Sequence, residues 1–136
     1  MEKKAIVHVL DDLLGVRDVL ACMIIDRGMD HIMPSFEKND IGANRVISDV
    51  KQRVNSIFKM IDCYSTVELK EMKWVFNDCV VWFYVFPGFQ GALMAVVSRV
   101  SDEGLIMAEL DSARRRILDI KDREGSIQSR GWSDKV

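Results

Sequence analysis

Residues 43–61 of this chain read ANRVISDVKQRVNSIFKMI. Apolar side chains recur here in alternating steps of four and three, which is the spacing of one face of an α-helix. Charged and amide side chains fill the opposite face, so the helix must press its apolar stripe on another surface. We expect it to pack both on a sheet of its own chain and on a second copy of itself. The stripe consists of Ala43, Ile47, Val50, Val54, Ile57 and Ile61.

Size, charge and cysteine content limit the class of protein. The 136 residues fit one domain, which at this size buries roughly two-thirds of its unfolded surface. A net charge of −2 does not favour nucleic acid or an anionic membrane as a partner. No apolar run reaches the length of a membrane span, and the N-terminus leads into an amphipathic helix rather than a signal peptide. Three cysteines without a CxxC pattern indicate reduced thiols in a cytoplasmic protein.

The N-terminal part of the chain predicts one helix and two strands. Apolar residues at helical spacing over 5–14 predict helix one. The apolar run 16–25 predicts strand one, and a turn at 26–28 leads into strand two at 29–36. Proline cannot donate to a strand ladder, so Pro34 places strand two at an edge of the sheet.

Three strands and a last helix are expected after the long helix. Strand three covers 65–76, where the apolar positions change face midway, as a β-bulge or a switch of burial would produce. Strand four at 79–86 and strand five at 90–100 are apolar on both faces, so helices must cover both faces of the sheet. Ser101 or Asp102 caps the last helix.

These elements predict an α+β fold with three layers, α/β/α, in the order α-β-β-α-β-β-β-α. The five-stranded antiparallel sheet is expected in the order 2-1-5-4-3, because strand two lies at an edge and hairpins join strands three, four and five. Helix two then covers one face, and helices one and three cover the other. The chain turns polar from Lys121, so residues 1–121 are expected to form the domain and residues 122–136 a polar tail.

This layout resembles the roadblock family, the dynein light chain fold related to longin and profilin domains. The likeness rests on the apolar strand and D-x-G turn at 21–28, the long helix at 43–62, and strand five leading into the last helix at 91–117. It spans roughly residues 3–120. The resemblance implies a homodimer or heterodimer in which the second helices pack together and the third strands join into one sheet. It also implies a platform for small Ras-like GTPases, as in bacterial or archaeal GTPase-regulating roadblock proteins, or for motor and signalling complexes.

The residues support a homodimer on their own terms. Strand three is long, lacks proline and carries charges of both signs, so an antiparallel copy can set opposite charges across from each other. The alternative is that these charges only prevent another strand from pairing with this edge, and that the stripe packs only on its own sheet. The predicted dimer interface consists of Ala43, Ile47, Val50, Val54, Ile57, Ile61, Glu68, Lys70, Met72 and Trp74. The residues predicted to bind a partner, on the flanks of the stripe, are Arg45, Asp49, Arg53 and Lys59.

No catalytic, cofactor or metal site is visible in the sequence, so we expect a protein that is not an enzyme. His8 and His31 have no Cys or His at metal-ligand spacing, and neither a P-loop motif nor GxSxG occurs. The arginines at 114–116 spread over more than half of a helix circumference, so they form either a solvated helix end or a contact for an acidic partner. Trp132 in the polar tail suggests docking within the chain or on a partner.

Three functions remain open. The first is a dimeric regulator or platform for a small Ras-like GTPase, which the resemblance implies. The second is a structural dimerising adaptor in a motor, secretion or signalling complex. The third is a small-molecule sensor, which ranks last because strands apolar on both faces leave little sign of a polar ligand site. A preference for one nucleotide state of a GTPase would distinguish the first function from the second.

Overall fold

The structure, a computed structural model, describes residues 2–26, 36–38, 40–87 and 91–135. It confirms the α+β class and the antiparallel sheet. A short 3₁₀ turn at 65–67 precedes the third strand. The helices and strands in chain order are α1 (Glu2–Leu14), β1 (Val19–Asp26), β2 (Phe36–Glu37), α2 (Ile41–Gln52), α3 (Val54–Cys63), β3 (Glu71–Val75), β4 (Cys79–Val85), β5 (Gly91–Ser98) and α4 (Glu103–Lys135).

The strands lie in the order β2-β1-β5-β4-β3, and every pairing is antiparallel. Most of the sheet is formed by β1, β5, β4 and β3. β2 contributes only Phe36 and Glu37 beside β1. The strand predicted at 29–36 lies outside the described residues except for Phe36. β4 and β5 are buried over almost their full length, because helices cover both faces of the sheet as the apolar pattern predicts.

A separate core fills the space on each face of the sheet. α1 and α4 pack on one face, over alternate strand residues such as Cys22 and Trp82. α2 and α3 pack on the other face, over residues such as Met23 and Phe83. α4 and the α2–α3 unit therefore lie on opposite faces of a sheet that ends at β3.

The single long helix predicted over 43–62 is wrong, because the structure has two helices that meet at Arg53. The Arg53 backbone, with φ −114° and ψ 15°, leaves the helical region, and its N–H donates to the Val50 carbonyl at 2.9 Å. A straight helix diverges from a twisted sheet, and the break keeps both halves on it. The buried residues of the two halves are Ala43, Ile47, Val50, Ile57, Phe58 and Ile61.

Strand three is shorter than predicted, and its change of face has another cause. Residues 65–67 form the 3₁₀ turn, and Glu68 adopts a left-handed backbone with φ 52°. β3 itself pairs with β4 from Glu71 to Val75 in one continuous register. The turn, and not a β-bulge, accounts for the change in the apolar pattern.

The sequence predicts that the last helix gives way to a polar tail near Lys121. In the structure the helix continues to Lys135. Within residues 103–122 its last buried side chain is Ile117. The polar remainder contains no proline, and glycines at Gly125 and Gly131 each cost only about 1 kcal/mol relative to alanine, so an existing helix can propagate through them. None of the helices in the described part of the chain is long and apolar enough to cross a membrane.

Candidate interaction surface

β3 forms the open edge of the described sheet, because β4 is the only strand that pairs with it there. Its side chains alternate between the two faces. Glu71, Lys73 and Val75 are exposed on the side of α4, whereas Met72 and Trp74 are half-buried on the side of α2 and α3. An edge strand with unpaired backbone groups is a template for another strand.

The backbone groups left free on β3 belong to its odd-numbered residues. The Val85 N–H donates to the Lys70 carbonyl at 2.8 Å, and the Phe76 N–H donates to the Cys79 carbonyl at 2.9 Å. Even-numbered residues therefore direct their N–H and C=O groups toward β4, and in an antiparallel strand this direction alternates along the chain. The N–H and C=O groups of residues 71, 73 and 75 consequently point away from the sheet.

Both charged side chains of β3 are oriented by neighbours. The Lys73 Nζ lies 2.7 Å from Glu103 Oε1 at the start of α4 and 5.1 Å from the centre of the Trp82 ring. The Tyr84 hydroxyl donates to Glu71, and burial, followed by the negative charge of Glu71, raises the pKa of Tyr84 to about 12. The strand therefore presents one held cation and one held anion, two residues apart, at its open edge.

Most of the stripe predicted for the dimer interface is core within a single chain. Five of its members are at most 2% exposed, and Val54 is half-buried in the same cluster. The physical reason is that α2 and α3 bury this face against their own sheet, so these side chains have no exposed surface for contact with a second copy. The five residues to which this correction applies are Ala43, Ile47, Val50, Ile57 and Ile61.

The four predicted interface positions from strand three divide into two pairs. Met72 and Trp74 lie on the edge strand itself. Glu68 and Lys70 are exposed but precede β3, because the 3₁₀ turn delays its start. The alternation of charged and apolar residues in EMKWV, residues 71–75, is the sequence pattern that identifies which charged residues lie on the edge strand. The edge charges that the prediction left out of the interface are Glu71 and Lys73.

The residues predicted to bind a partner are all exposed on the outer side of α2 and α3. Arg53 Nε donates to Asp49 Oδ1 at 2.8 Å, and this hydrogen bond raises the pKa of Arg53. Arg45 lies one turn before Asp49 on the same side of α2, and Lys59 lies on α3 beyond the break. The structure thus brings Asp49 and Arg53 together, at the point where the two helices meet.

The three consecutive arginines of α4 have carboxylate partners within the chain. Arg114 Nη2 donates to Asp111 Oδ1 at 3.2 Å, and Arg115 Nε donates to Asp111 Oδ2 at 2.9 Å. These hydrogen bonds lower the pKa of Asp111. Arg116 Nη2 donates to Asp12 Oδ2 on α1 at 3.0 Å. The arginines therefore lie within α4 rather than at its end, and one of them links α4 to α1.

The three cysteines lie in different environments. Cys22 and Cys79 are buried, Cys63 is exposed, and all three are free thiols. Burial raises the pKa of Cys22 to about 12 and also raises the pKa of Cys79, which makes both thiols poor nucleophiles. Within residues 2–26, 36–38, 40–87 and 91–135, no group of three or more His, Cys, Asp or Glu side chains is placed to hold a metal ion. An open groove of about 320 Å³ lies between Lys70 and Arg114.

Known proteins share this fold at low sequence identity. No protein-family profile and no curated protein sequence matches the chain significantly. MglB of Myxococcus xanthus superposes with a TM-score of 0.70 at 13% identity over 89% of this chain and 90% of MglB. An MglB with a tetrameric arrangement has a TM-score of 0.66 at 13% identity, over 90% of this chain and 91% of that protein. A Roadblock/LC7 domain from Streptomyces avermitilis has a TM-score of 0.57 at 6% identity, over 89% of this chain and 96% of the domain. The chain therefore has the fold of the Roadblock/LC7 domain and of MglB.

Proposed function

We propose that this protein is a dimeric, non-enzymatic regulator or platform that binds a small Ras-like GTPase. The observation that supports this most is the open edge of β3, where the backbone groups of residues 71, 73 and 75 point outward. The fold is that of the Roadblock/LC7 domain. The resemblance of the sequence to roadblock proteins, which pair through their third strands and serve GTPases, supplies the class of partner.

The dimer that we propose joins two copies through β3 and sets their α2–α3 units side by side. Exposed apolar residues flank the strand at both ends. Tyr64 and Val67 precede it at 50% and 72% exposure, and Val75 and Phe76 end it at 55% and 41%. Burying such residues against a second copy removes apolar surface from water. A solved MglB with a tetrameric arrangement supports self-association in proteins of this fold.

Sedimentation velocity tests the dimer, with a substitution aimed at the open edge. Lys73→Pro removes an outward N–H without removing a hydrogen bond to β4, so it should weaken pairing and leave the sheet intact. Lys73→Ala is the matched control, because it loses the same contacts with Glu103 and Trp82 but keeps the N–H. A wild-type protein that is monomeric at about 50 µM, a concentration well above the Kd usual for interfaces of standard size, would contradict the dimer.

The partner surface that we propose is the outer side of α2 and α3 in both copies. Arg45, Asp49, Arg53 and Lys59 are exposed there, close to where the two α2–α3 units would meet. Rim charges of this kind change the association rate and the orientation of a partner more than they change the fold. Reversing Arg53 and Lys59 to Glu should therefore weaken partner binding while circular dichroism and the dimer stay unchanged.

A pull-down from extract of the source cell tests the class of partner. The immobilised chain is exposed to extract loaded with a non-hydrolysable GTP analogue or with GDP, and bound proteins are identified by mass spectrometry. A small GTPase enriched in one nucleotide state, and lost with the Arg53→Glu and Lys59→Glu double variant, supports the proposal. A GTPase bound equally in both states would favour the structural adaptor, because a ligand without a preference cannot shift a switch equilibrium.

A further inference from the structure

We propose that Glu71 and Lys73 make β3 an edge that selects a second copy of the same chain in one register. In that register Met72 of one copy lies opposite Met72 of the other. Glu71 of each copy then lies opposite Lys73 of the other, which gives two such pairs. The inference rests on the dimer proposed above. It adds the residue-by-residue alignment of the seam and the preference for an identical partner.

The direction of the free backbone groups limits the registers. Outward N–H and C=O groups belong to residues 71, 73 and 75, so hydrogen-bonded pairs across the seam must join odd-numbered residues of both copies. In a symmetric antiparallel pair this places one residue opposite itself at the two-fold axis. Five registers are centred within the strand. The one centred on Val75 sets Lys73 opposite residue 77 and gives neither charge a cross-strand partner, which leaves the registers centred on residues 71, 72, 73 and 74.

Charge separates these four registers. Centring on Glu71 opposes two carboxylates, and centring on Lys73 opposes two ammonium groups, both of which are destabilising. Centring on Trp74 sets Lys73 opposite Val75 and leaves both charges without a cross-strand partner. Centring on Met72 sets Glu71 opposite Lys73 on both sides of the axis, which is the stabilising combination.

The positions of the side chains fit the register centred on Met72. Glu71 and Lys73 are exposed on the same face of the sheet, the face that α4 covers, so cross-strand contact between them needs no rotation of the strand. Tyr84 and Glu103 already hold these two side chains beside the edge. An edge that carries an acid and a base two residues apart is complementary to itself when antiparallel. A foreign edge without that spacing would give neither charge a partner across the seam.

Charge-reversed variants test self-selection. Glu71→Lys puts bases at both positions and Lys73→Glu puts acids at both, so each variant alone should self-associate roughly tenfold or more weakly than wild type. Mixing the two variants should restore a dimer that contains one of each, since every base then faces an acid. The double variant with both reversals should again pair with itself. Analytical ultracentrifugation of differently labelled chains measures all four cases.

Thermal unfolding of each variant separates a seam effect from a folding effect, because Lys73→Glu places a second carboxylate near Glu103. Recovery in the mixture is the decisive result, since a merely damaged fold is not repaired by a second damaged chain. If wild type dimerises but the mixture gains nothing, the charge register is wrong while the proposed dimer stands. If wild type stays monomeric, the dimer itself fails and the inference fails with it.

Cysteine crosslinking reads the register directly. In a background with Cys63→Ser, which removes the exposed thiol, Met72→Cys places two cysteines at the axis as a non-hydrogen-bonded pair. The Cα atoms of such a pair lie about 4.5 Å apart, within the range of about 4.4–6.8 Å that a disulfide needs. Oxidation should link Met72→Cys efficiently and link Trp74→Cys poorly. Preferred linkage through Trp74→Cys would overturn the proposed register.

Discussion

Gly91 lies at the start of β5, opposite Asp26 of β1. A Cβ atom added at this position would lie 2.8 Å from the carbonyl oxygen of Ile25, and that backbone atom belongs to the paired strand. We expect Gly91→Ala to lower the free energy of unfolding by about 1–3 kcal/mol, because one of the two strands must shift. Chemical denaturation measures the change. Gly104→Ala is the control, since its added Cβ would meet only Asp102 Oδ1 at 3.5 Å in an exposed turn of helix.

The Gly104 control should leave stability unchanged or raise it, because alanine favours the helix. Equal stability of the Gly91→Ala variant and wild type would show that the contact between β1 and β5 relaxes at no cost.

The raised pKa of Tyr84 predicts a loss of stability at alkaline pH. Its pKa is raised from 10.0 to about 12 by burial and then by Glu71, so the unfolded chain releases this proton at a lower pH than the folded chain. The stabilisation is complete below the unfolded pKa of about 10 and is lost as the pH rises through about 12. Cys22 acts in the same direction, because burial raises its pKa from 9.0 to about 12. Tyr84→Phe should therefore make the alkaline fall in stability shallower without removing it.

Urea unfolding at several values between about pH 8 and pH 11 gives that slope. Tyr64→Phe, at a half-exposed position, provides the comparison and should keep the wild-type slope. An identical slope for Tyr84→Phe would show that the proton of Tyr84 does not contribute.

α2 is capped by Asp40, the residue that precedes its first turn. Asp40 Oδ2 accepts from the Ala43 N–H at 2.9 Å, and the first turn of the helix contains no other acidic residue. Asp40→Ala should cost about 0.5–2 kcal/mol, because a backbone N–H loses its partner. Asp40→Asn keeps an acceptor oxygen and should recover most of that loss. Thermal unfolding followed by circular dichroism distinguishes the two, and equal loss in both variants would point to the charge instead of the cap.

The two edges of the described sheet differ in length, since β2 has two residues and β3 has five. β2 lies on the outer side of β1, and α1 contacts both of these strands. β3, at the other end, has neither a further strand nor a covering helix along its outer side in the described residues. The recognition that we propose therefore uses β3 and the exposed outer side of α2 and α3.

The domain is expected to survive removal of the end of α4. The described contacts of α4 with the core reach Ile120, and the Lys121 Nζ lies 5.6 Å from the centre of the Phe86 ring. A chain truncated after Asp122 should therefore remain folded, with a Tm within a few degrees of the full chain. Differential scanning calorimetry measures this shift, and truncation after Ile117 serves as the comparison that should destabilise. Unfolding of the chain that ends at Asp122 would contradict the predicted domain limit of 1–121.

Local patterns in the sequence predict much of this fold because they report directly on burial and capping. The two apolar faces of strands four and five predict a sheet covered on both sides, which the cores confirm. The sequence narrows the cap of the last helix to Ser101 or Asp102 because a side-chain oxygen is needed where a helix begins, and Asp102 is the one that accepts from the Leu105 N–H. The open, charged edge strand is likewise visible, since alternation in EMKWV marks one exposed and one half-buried face.

Other features depend on contacts between distant segments, which periodicity does not record. An apolar stripe indicates that a helix face is buried but not what buries it. The stripe at 43–61 therefore predicts contact with both its own sheet and a second copy, whereas the structure places it in a core within one chain. The break at Arg53 follows from fitting that helix to a sheet whose twist arises elsewhere in the chain. The charges at Glu71 and Lys73 acquire their orientation only from Tyr84 on β4 and Glu103 on α4, because folding brings these residues together across the sheet.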